Sequence, residues 1–168
     1  ASVRSLTDAG HEVLVGESNS WSKAGWSRFC KATFEYPNPE KDTPGFIARI
    51  SEIAKQSVGT LVLPMTEATT LPISAHRDKL LSLGARFVLP DHVDVLRAFN
   101  KNEMVQLASS MGIAVPRTVA ISDDDDLRRA GETLKFPLVL KPRSSVETQS
   151  DGAVRVTGRP QYAKNPQE

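Results

Sequence analysis

The chain has 168 residues, 39% of them hydrophobic and 24% charged, a composition that is ordinary for a soluble globular protein of one domain or one and a half. Its formal net charge of +1 gives no reason to expect a nucleic-acid partner or a membrane surface, and no apolar run approaches the roughly 20 residues of a transmembrane helix. One cysteine, Cys30, excludes an intrachain disulfide and fits a reducing compartment, so we expect a cytoplasmic protein.

The chain is expected to open on a helix. Val3 and Leu6 stand at helical spacing, and Gly10 supplies a C-terminal cap before a strand over residues 11–15. In a parallel α/β layout a helix joins two neighbouring strands, and no strand stands ahead of this helix. We therefore expect that an N-terminal strand is missing and that the chain is a piece of a longer protein.

Residues 16–25 are rich in Ser and Gly and predict a surface loop after that strand. The carboxyl ends of strands are where open α/β sheets usually bind ligands. Trp21 and Trp26 lie in or beside the loop, and we interpret them as packing anchors in preference to stacking platforms.

The next helix is expected to supply the core. A short strand over residues 33–35 leads into a turn, after which Thr43 and Pro44 begin a helix with a cap and a first-turn proline. Gly59 lies at its end. Its apolar stripe consists of Phe46, Ile47, Ile50, Ile53 and Ala54.

Strand and helix continue to alternate as far as residue 90. A buried strand is expected over residues 60–63, then a helix whose apolar residues are Ile73, Leu80 and Leu81, then a strand over residues 86–89. This order predicts a parallel sheet covered by helices on both faces, which is a Rossmann-like α/β fold.

A short connecting helix over residues 91–99 is followed by a domain boundary. Asn100 caps the next helix, with Glu103 in a capping-box arrangement, and Gly112 ends it. Lys101 falls in the first turn, where the helix dipole favours anions. A bound phosphate would resolve this conflict, because helix amides and the lysine would face the same anion. The other interpretation is an exposed surface lysine.

The acidic run Asp123 to Asp126 is not expected to hold a metal ion. Ser122 is a good N-cap, and acidic residues in the following turn complement the helix dipole. Consecutive helical positions point in different directions and cannot converge on one ion.

A second lysine, Lys141, ends an apolar strand. Residues 138–140 are predicted to form a buried strand, and strand alternation places Lys141 on the same face as Val139, directed into the fold. A buried ammonium group needs an anion, and a phosphate within about 4 Å supplies roughly 4 kcal/mol at an effective dielectric constant near 20. A lysine that snorkels from a strand end is the alternative. The turn Asp151-Gly152 predicts a hairpin that pairs this strand with residues 153–156.

The segment NKNEMVQLASSMGIAVPRTVAISDDDDLRRAGETLKFPLVLKPRSS, residues 100–145, resembles the start of an ATP-grasp domain. This family includes biotin carboxylase, carbamoyl phosphate synthetase and D-alanine ligase. The resemblance implies that Lys101 and Lys141 contact ATP phosphates. The loop after Lys141 departs from the family because it is poor in glycine, and Arg143, Ser144 and Ser145 are expected to donate hydrogen bonds to phosphate instead.

The first part of the chain looks like the pre-ATP-grasp domain of these enzymes. Related domains present an acidic or hydroxyl residue toward the substrate from the loop after the strand at residues 60–63. Glu67 is therefore expected to hold an amine, while Thr66 and Thr69 orient polar groups. A carboxylate in the first turn of a helix, favoured by the dipole alone, is the alternative.

The resemblance implies two domains: residues 1–98, a pre-ATP-grasp Rossmann-like domain without its first strand, and residues 99–168, an incomplete α+β ATP-grasp subdomain. Residues 165–168 resemble the start of a further helix. The expected partners are ATP, Mg²⁺ and a small carboxylate, the expected metal ligands lie outside this chain, and a homodimer is a possible assembly. We expect the chain alone to be inactive.

Other chemistries lack their motifs: the sequence contains no Walker phosphate loop, no GxGxxG, no HExxH and no GxSxG. No catalytic residue is assigned. The rival interpretation is a non-catalytic nucleotide or small-ligand binding module on a Rossmann-like sheet, and the sequence identifies neither the carboxylate nor the nucleophile.

Overall fold

A computed structural model describes residues 1–144, 146–148 and 154–165, and it shows a mixed helix and strand fold of the α/β class. The helices within these residues are α1 Ser2–Asp8, α2 Thr43–Gln56, α3 Glu67–Ala75, α4 Arg77–Ser82, α5 His92–Phe99, α6 Lys101–Ser110 and α7 Asp124–Thr133. The strands are β1 Leu14–Glu17, β2 Ala32–Glu35, β3 Leu138–Leu140, β4 Val146–Thr148, β5 Val154–Val156 and β6 Gln161–Ala163. In this described part of the chain, no helix has the length and apolar character that crossing a membrane requires.

The opening helix ends as its sequence predicts. Gly10 adopts a φ of +89°, which glycine reaches without steric cost, and its N–H donates to the Thr7 carbonyl at 2.9 Å. The following N–H, of His11, donates to the Leu6 carbonyl at 3.0 Å. The chain then runs on for three residues before β1 begins at Leu14.

Parallel strand pairing is present but short. β1 pairs with β2 in parallel, from Leu14 opposite Ala32 to Glu17 opposite Glu35. The predicted strands at residues 60–63 and 86–89 meet only in one parallel bridge, Leu61 to Arg86.

The prediction that residues 60–63 form a buried strand is therefore wrong: Leu61 is 47% exposed and Leu63 is 42% exposed. A parallel strand is buried when helices and neighbouring strands cover it on both sides. This segment has a single strand neighbour among the described residues, so the α/β class is shown without a Rossmann-like sheet.

The core gathers around α2, as its apolar stripe predicts. Four residues of the stripe are buried: Phe46, Ile47, Ile50 and Ala54. Ile53 is half-buried, and the Phe46 ring meets Tyr36 edge-on with centroids 4.9 Å apart. Each large apolar side chain that leaves water contributes about 1.5–3 kcal/mol, so this cluster is the main source of stability among the described residues.

The cap of α2 differs from the predicted one by a residue. Asp42 is the N-cap, and its Oδ1 accepts from the Gly45 N–H at 2.8 Å. Thr43, predicted as the cap, is the first helical residue and donates from Oγ1 to the Pro39 carbonyl at 2.6 Å. Asp42 is the preferred cap because its carboxylate accepts a hydrogen bond and also interacts favourably with the positive end of the helix dipole.

One helix predicted before Gly84 is divided in two at His76. Pro72 lies inside α3 and has no N–H to continue the helical hydrogen bonds, and His76 adopts φ −107° and ψ 19°. On α4, Leu80 is fully buried while Leu81 is 41% exposed.

The second half of the chain holds two small antiparallel sheets. β3 pairs with β6, from Leu138 opposite Ala163 to Leu140 opposite Gln161, and β4 pairs with β5. The prediction that the strand before Lys141 pairs with residues 153–156 is wrong, because β4 takes that partner. The predicted turn Asp151-Gly152 lies outside the described residues, and β4 and β5 both pack against α3.

β3 is not the buried strand that its sequence predicts. Val139 is 47% exposed, Leu140 is 37% exposed, and Lys141 is exposed. An apolar strand is buried only when layers cover its faces, and β3 has one neighbouring strand within the described residues. Lys141 is thus not directed into a core, and the snorkelling interpretation describes its position better.

Helix α7 begins one residue later than predicted. Asp123 is the N-cap, accepting from the Asp126 N–H at 2.8 Å, whereas Ser122 was predicted. Ser122 instead donates its own backbone N–H to Asp126 Oδ2 at 3.0 Å. The acidic run therefore caps and stabilises the start of α7, as the sequence predicted.

Candidate functional site

The start of α6 is held by protein groups. Asn100 caps it, with Oδ1 accepting from the N–H groups of Asn102 at 3.1 Å and Glu103 at 3.3 Å. The Lys101 N–H donates to the Arg143 carbonyl at 2.9 Å. The predicted capping box of Asn100 and Glu103 is confirmed in a modified form, because the Glu103 carboxylate accepts a hydrogen bond from the Asn100 side-chain amide at 2.6 Å.

These bonds correct one part of the phosphate hypothesis. The first three amides of α6 already donate to Arg143 and Asn100, so they do not present a vacant row of N–H groups to an anion. A phosphate at this helix end would be contacted by side chains, or would displace the Arg143 carbonyl. Lys101 itself is half-buried.

The start of α3 uses two of the predicted substrate residues as its cap. The Thr69 N–H donates to Thr66 Oγ1 at 3.3 Å, and the Thr66 N–H donates to Thr69 Oγ1 at 3.2 Å. The two hydroxyl oxygens lie 3.0 Å apart. Thr66 and Thr69 thus form a reciprocal capping box, which gives both residues a structural role before any ligand is considered.

Glu67 is the first residue of α3 and is half-buried. Its Oε1 accepts a hydrogen bond from Ser144 Oγ at 2.6 Å, across 77 positions of sequence. A carboxylate at this position also interacts favourably with the N-terminal end of the helix dipole. A carboxylate is also the group that would bind an amine through a charge-assisted hydrogen bond.

Arg143 and Ser144 together form what we call the 143–144 junction. The Arg143 carbonyl accepts from the N–H of Lys101, and the Ser144 side chain donates to Glu67. The Ser144 carbonyl accepts from the Thr157 hydroxyl, which follows β5. The junction therefore connects the start of α3, the start of α6 and the end of β5.

Lys141 lies two residues before Arg143, so its Cα is within about 7 Å of the junction. The structure thus brings Glu67 and Ser144 into contact and places Lys101 and Lys141 beside the same short segment. Ser145, predicted with Ser144 as a phosphate ligand, lies outside the described residues.

Sequence reasoning named Arg143 as a hydrogen-bond donor to phosphate but missed its contact with α6, and it missed Thr157. Arg143 takes part through its carbonyl oxygen, which every residue has, and Thr157 takes part through a hydroxyl 13 positions beyond Ser144. Neither produces a local signal. The Ser-rich sequence after Lys141 was the available hint, and it led to Ser144.

The acidic run shows the electrostatics of a helix start. Hydrogen bonding from the Ser122 N–H is the largest cause that lowers the pKa of Asp126, and hydrogen bonding and charge from Arg129 lower it further. Arg128 pairs with Asp125 at 3.0 Å. Among the described residues, no group of three or more His, Cys, Asp or Glu side chains could hold a metal ion.

Within the described residues, two surface clefts are lined by residues other than Arg143 and Ser144. One, of about 550 Å³, is lined by Val105, Gln106, Ser109, Ser110, Val115, Pro116, Arg117 and Thr118. The other, of about 310 Å³, is lined by Trp21, Ser22, Lys23 and Trp26.

The interpretation of the tryptophans as packing anchors is wrong. Trp21 and Trp26 are each 74% exposed, and they stack on one another with ring centroids 5.6 Å apart. The loop that carries them turns outward, so the two indoles contact each other and do not pack into the core.

Ser74 and His92 form a close pair, with Ser74 Oγ 2.8 Å from His92 Nδ1. Ser74 is 2% exposed and also donates to the Leu71 carbonyl at 2.9 Å. A nucleophile must be reached by its substrate, so this buried hydroxyl ties α3 to the start of α5 and is not a catalytic centre.

Comparison of the chain with models of known protein families finds no matching family, and comparison with curated proteins finds no matching protein.

Proposed function

We propose that this chain contributes the pre-ATP-grasp part and the first ATP-grasp part of an ATP-dependent ligase that joins a carboxylate to an amine or a thiol. The observation that carries the proposal is the hydrogen bond between Ser144 and Glu67. It unites a residue expected to contact phosphate with a residue expected to contact the acceptor substrate, across 77 positions of sequence.

The proposed reaction has two steps. The carboxylate oxygen attacks the γ-phosphorus of ATP, which forms an acyl phosphate and releases ADP. The amine or thiol then attacks the acyl carbon, the C–O bond to phosphate breaks, and inorganic phosphate leaves with the electron pair. The first step spreads negative charge over the phosphoryl oxygens, so cations that are already in position lower its barrier.

Lys101 and Lys141 are the proposed cations. Both stand beside the 143–144 junction, and an ammonium group is a compact charge that suits phosphate oxygens. The exposure of Lys141 leaves its ammonium group accessible to a ligand from solvent. Since the α6 amides already donate to protein acceptors, the lysine side chains carry the phosphate contacts in this proposal.

Glu67 is the proposed group for an amine acceptor. The carboxylate has a second oxygen in addition to Oε1, which accepts from Ser144, and a charged ammonium would be a stronger partner than a hydroxyl. An amine held by Glu67 would be near the lysines proposed to hold the phosphate, as attack on an acyl phosphate requires.

Magnesium is expected for this chemistry, but the described residues supply no set of ligands for it. In a ligase of this class, residues other than those described would supply the magnesium ligands.

Binding of ATP tests the phosphate assignment. Replacing Lys101 or Lys141 with Ala should weaken ATP binding by about 1.5–3 kcal/mol, the range for a charge-assisted hydrogen bond. Lys135→Ala is the matched control, because Lys135 is also an exposed lysine on the approach to β3. Calorimetric titration with ATP measures all three variants.

Unchanged ATP affinity in both Lys101→Ala and Lys141→Ala would defeat the assignment. A fall in the melting temperature without ligand, with ATP affinity unchanged, would instead identify a structural ion pair.

The second candidate is a non-catalytic binding module for a nucleotide or small ligand. The exposure of β3 and Lys141 favours it, because a closed, water-excluding site is what phosphoryl transfer needs. Formation of ADP that depends on both a carboxylate and an amine would establish the ligase. ATP binding without turnover would establish the binding module.

A further inference from the structure

The loop between β1 and β2, residues 18–31, presents an aromatic surface. We call it the tryptophan loop. Trp21 and Trp26 are each 74% exposed, with their rings stacked at a centroid separation of 5.6 Å and an interplanar angle of 28°. These two rings, with Ser22 and Lys23, line the cleft of about 310 Å³. Two large apolar rings left in water at one place are typical of a binding surface.

The turn beneath the rings is well held. Ser22 is 5% exposed, its carbonyl accepts from the Trp26 N–H at 3.2 Å, and its Oγ accepts from the Gly25 N–H at 3.0 Å. A Cβ atom at Gly25 would lie 2.3 Å from a methyl carbon of Thr33, so the turn sits directly against β2. The rings are therefore presented on a fixed backbone, which lowers the entropic cost of binding a ligand.

The loop is cationic. It contains Lys23, Arg28 and Lys31 and has no acidic residue. Lys31 pairs with Glu12 at 2.5 Å, and the Arg28 guanidinium lies over the Phe29 ring at 4.9 Å. Lys23 lies in the wall of the cleft. Among the described residues, Lys31 is the cation of this loop that forms an ion pair.

These properties select the class of ligand. The rings are too close together for a third ring to enter between them, so a ligand would stack on an outer face or lie along the cleft. A sugar would need several accessible hydrogen-bonding groups, but the polar residues that line the cleft are Ser22, which is 5% exposed, and Lys23. A neutral aromatic ligand would make no ionic contact with Lys23, and a cationic ligand would be repelled by it.

We propose that the tryptophan loop binds a small planar aromatic carboxylate, whose ring stacks on an indole and whose carboxylate meets Lys23. This site is separate from the 143–144 junction and does not depend on ligase activity. An anionic lipid surface fits less well, because Glu12 and Glu17 flank the loop and add negative charge beside it.

Calorimetric titration with naphthalene-2-carboxylate tests the proposal, with naphthalene-2-methanol as the uncharged probe and cyclohexanecarboxylate as the non-planar one. We expect saturable binding of the aromatic carboxylate and weaker binding of the other two. Lys23→Gln should weaken carboxylate binding about tenfold and leave the alcohol unchanged. Trp26→Leu should weaken both aromatic probes about fivefold. Lys79→Gln, at an exposed lysine of α4, should change nothing.

A second measurement locates the ligand without any substitution. The chain contains two tryptophans, so its two indole N–H signals in a nitrogen–proton spectrum belong to this loop alone. Both signals should shift as naphthalene-2-carboxylate is added. Absence of saturable binding, unshifted indole signals, or equal affinity for the alcohol would overturn the proposal. Binding to phosphatidylserine vesicles without binding to the naphthalene probe would assign the loop to a membrane instead.

Discussion

Glu67 accepts a hydrogen bond from Ser144 through one carboxylate oxygen and stands in the first turn of α3. A structural role and a substrate role both fit this position. They make different demands on the side chain, because the bond from Ser144 needs an acceptor oxygen, whereas an amine substrate needs the negative charge.

Glu67→Gln separates these roles. The Gln amide keeps an oxygen that can accept from Ser144, so the melting temperature should change little, while the apparent affinity for an amine acceptor should fall by about 1.5–3 kcal/mol. Steady-state kinetics would show this as a lower kcat/KM for the acceptor with ATP affinity retained. Ser144→Ala is the complementary variant, since it removes the bond, leaves the charge, and should cost about 1 kcal/mol of stability.

If Glu67→Gln loses stability and keeps normal kinetics, the helix-start interpretation is correct and the substrate role is wrong.

Asp126 makes a prediction about pH. The Ser122 N–H and Arg129 stabilise its carboxylate, which holds the pKa of Asp126 below the ordinary value near 3.9. A lowered pKa means that the folded chain binds this proton less readily than the unfolded chain. The stabilisation is therefore fully present above the ordinary value and is lost as the pH falls through the lowered pKa. Carbon-detected titration of the Asp126 carboxyl should give a midpoint below 3.9, and a midpoint at or above that value would contradict the contacts.

At the scale of the element, neighbouring positions of α4 have opposite environments. Leu80 is fully buried in the cluster around α2, whereas Leu81 is 41% exposed. The sequence suggested both as core residues of one helix. Only the packing of α4 against α2 decides which of the two leaves water.

Leu80→Ala should lower the free energy of unfolding by about 2–5 kcal/mol, because it removes buried methyl groups and leaves a cavity. Leu81→Ala is its matched control, with the same chemistry on the same helix, and should change the free energy of unfolding by less than about 1 kcal/mol. Urea unfolding monitored by circular dichroism measures both. Equal losses in the two variants would show that α4 packs differently in solution.

At the scale of the whole molecule, burial is uneven along the chain. The buried apolar residues of the larger cluster all lie between Phe46 and Ala85. From Lys101 onward, Ala130 and Ala163 are the buried apolar residues among those the structure describes, and α6 has none. Local stability should follow this distribution, since the protection of backbone amides from hydrogen exchange depends on buried contacts.

Amide hydrogen exchange should therefore be slowest in the middle of α2 and at least about tenfold faster in α6. The comparison is internal to one sample, and both helices contain hydrogen-bonded amides, so intrinsic exchange rates can be corrected residue by residue. Equal protection of α2 and α6 would mean that the second half of the chain has stability that its described contacts do not explain.

The sequence by itself determined the features that depend on neighbours along the chain. The stop at Gly10, the cap at Asn100 with Glu103, the short helix predicted over residues 91–99 and found at His92–Phe99, and the apolar stripe of α2 all follow from capping and helical period. These interactions span at most a few residues, so local chemistry is sufficient. The competing caps at Asp42 and Thr43, and at Ser122 and Asp123, show that even this chemistry left the choice open by one residue.

Only the tertiary structure decided what depends on distant partners. The pairing of β3 with β6, the exposure of Lys141 and the tryptophans, and the bond from Ser144 to Glu67 have no local signal. An apolar strand does not specify which strand will lie beside it, and a loop does not reveal whether its rings turn inward. The physical reason is that such choices minimise the exposed apolar area and the unpaired polar groups of the whole chain at once.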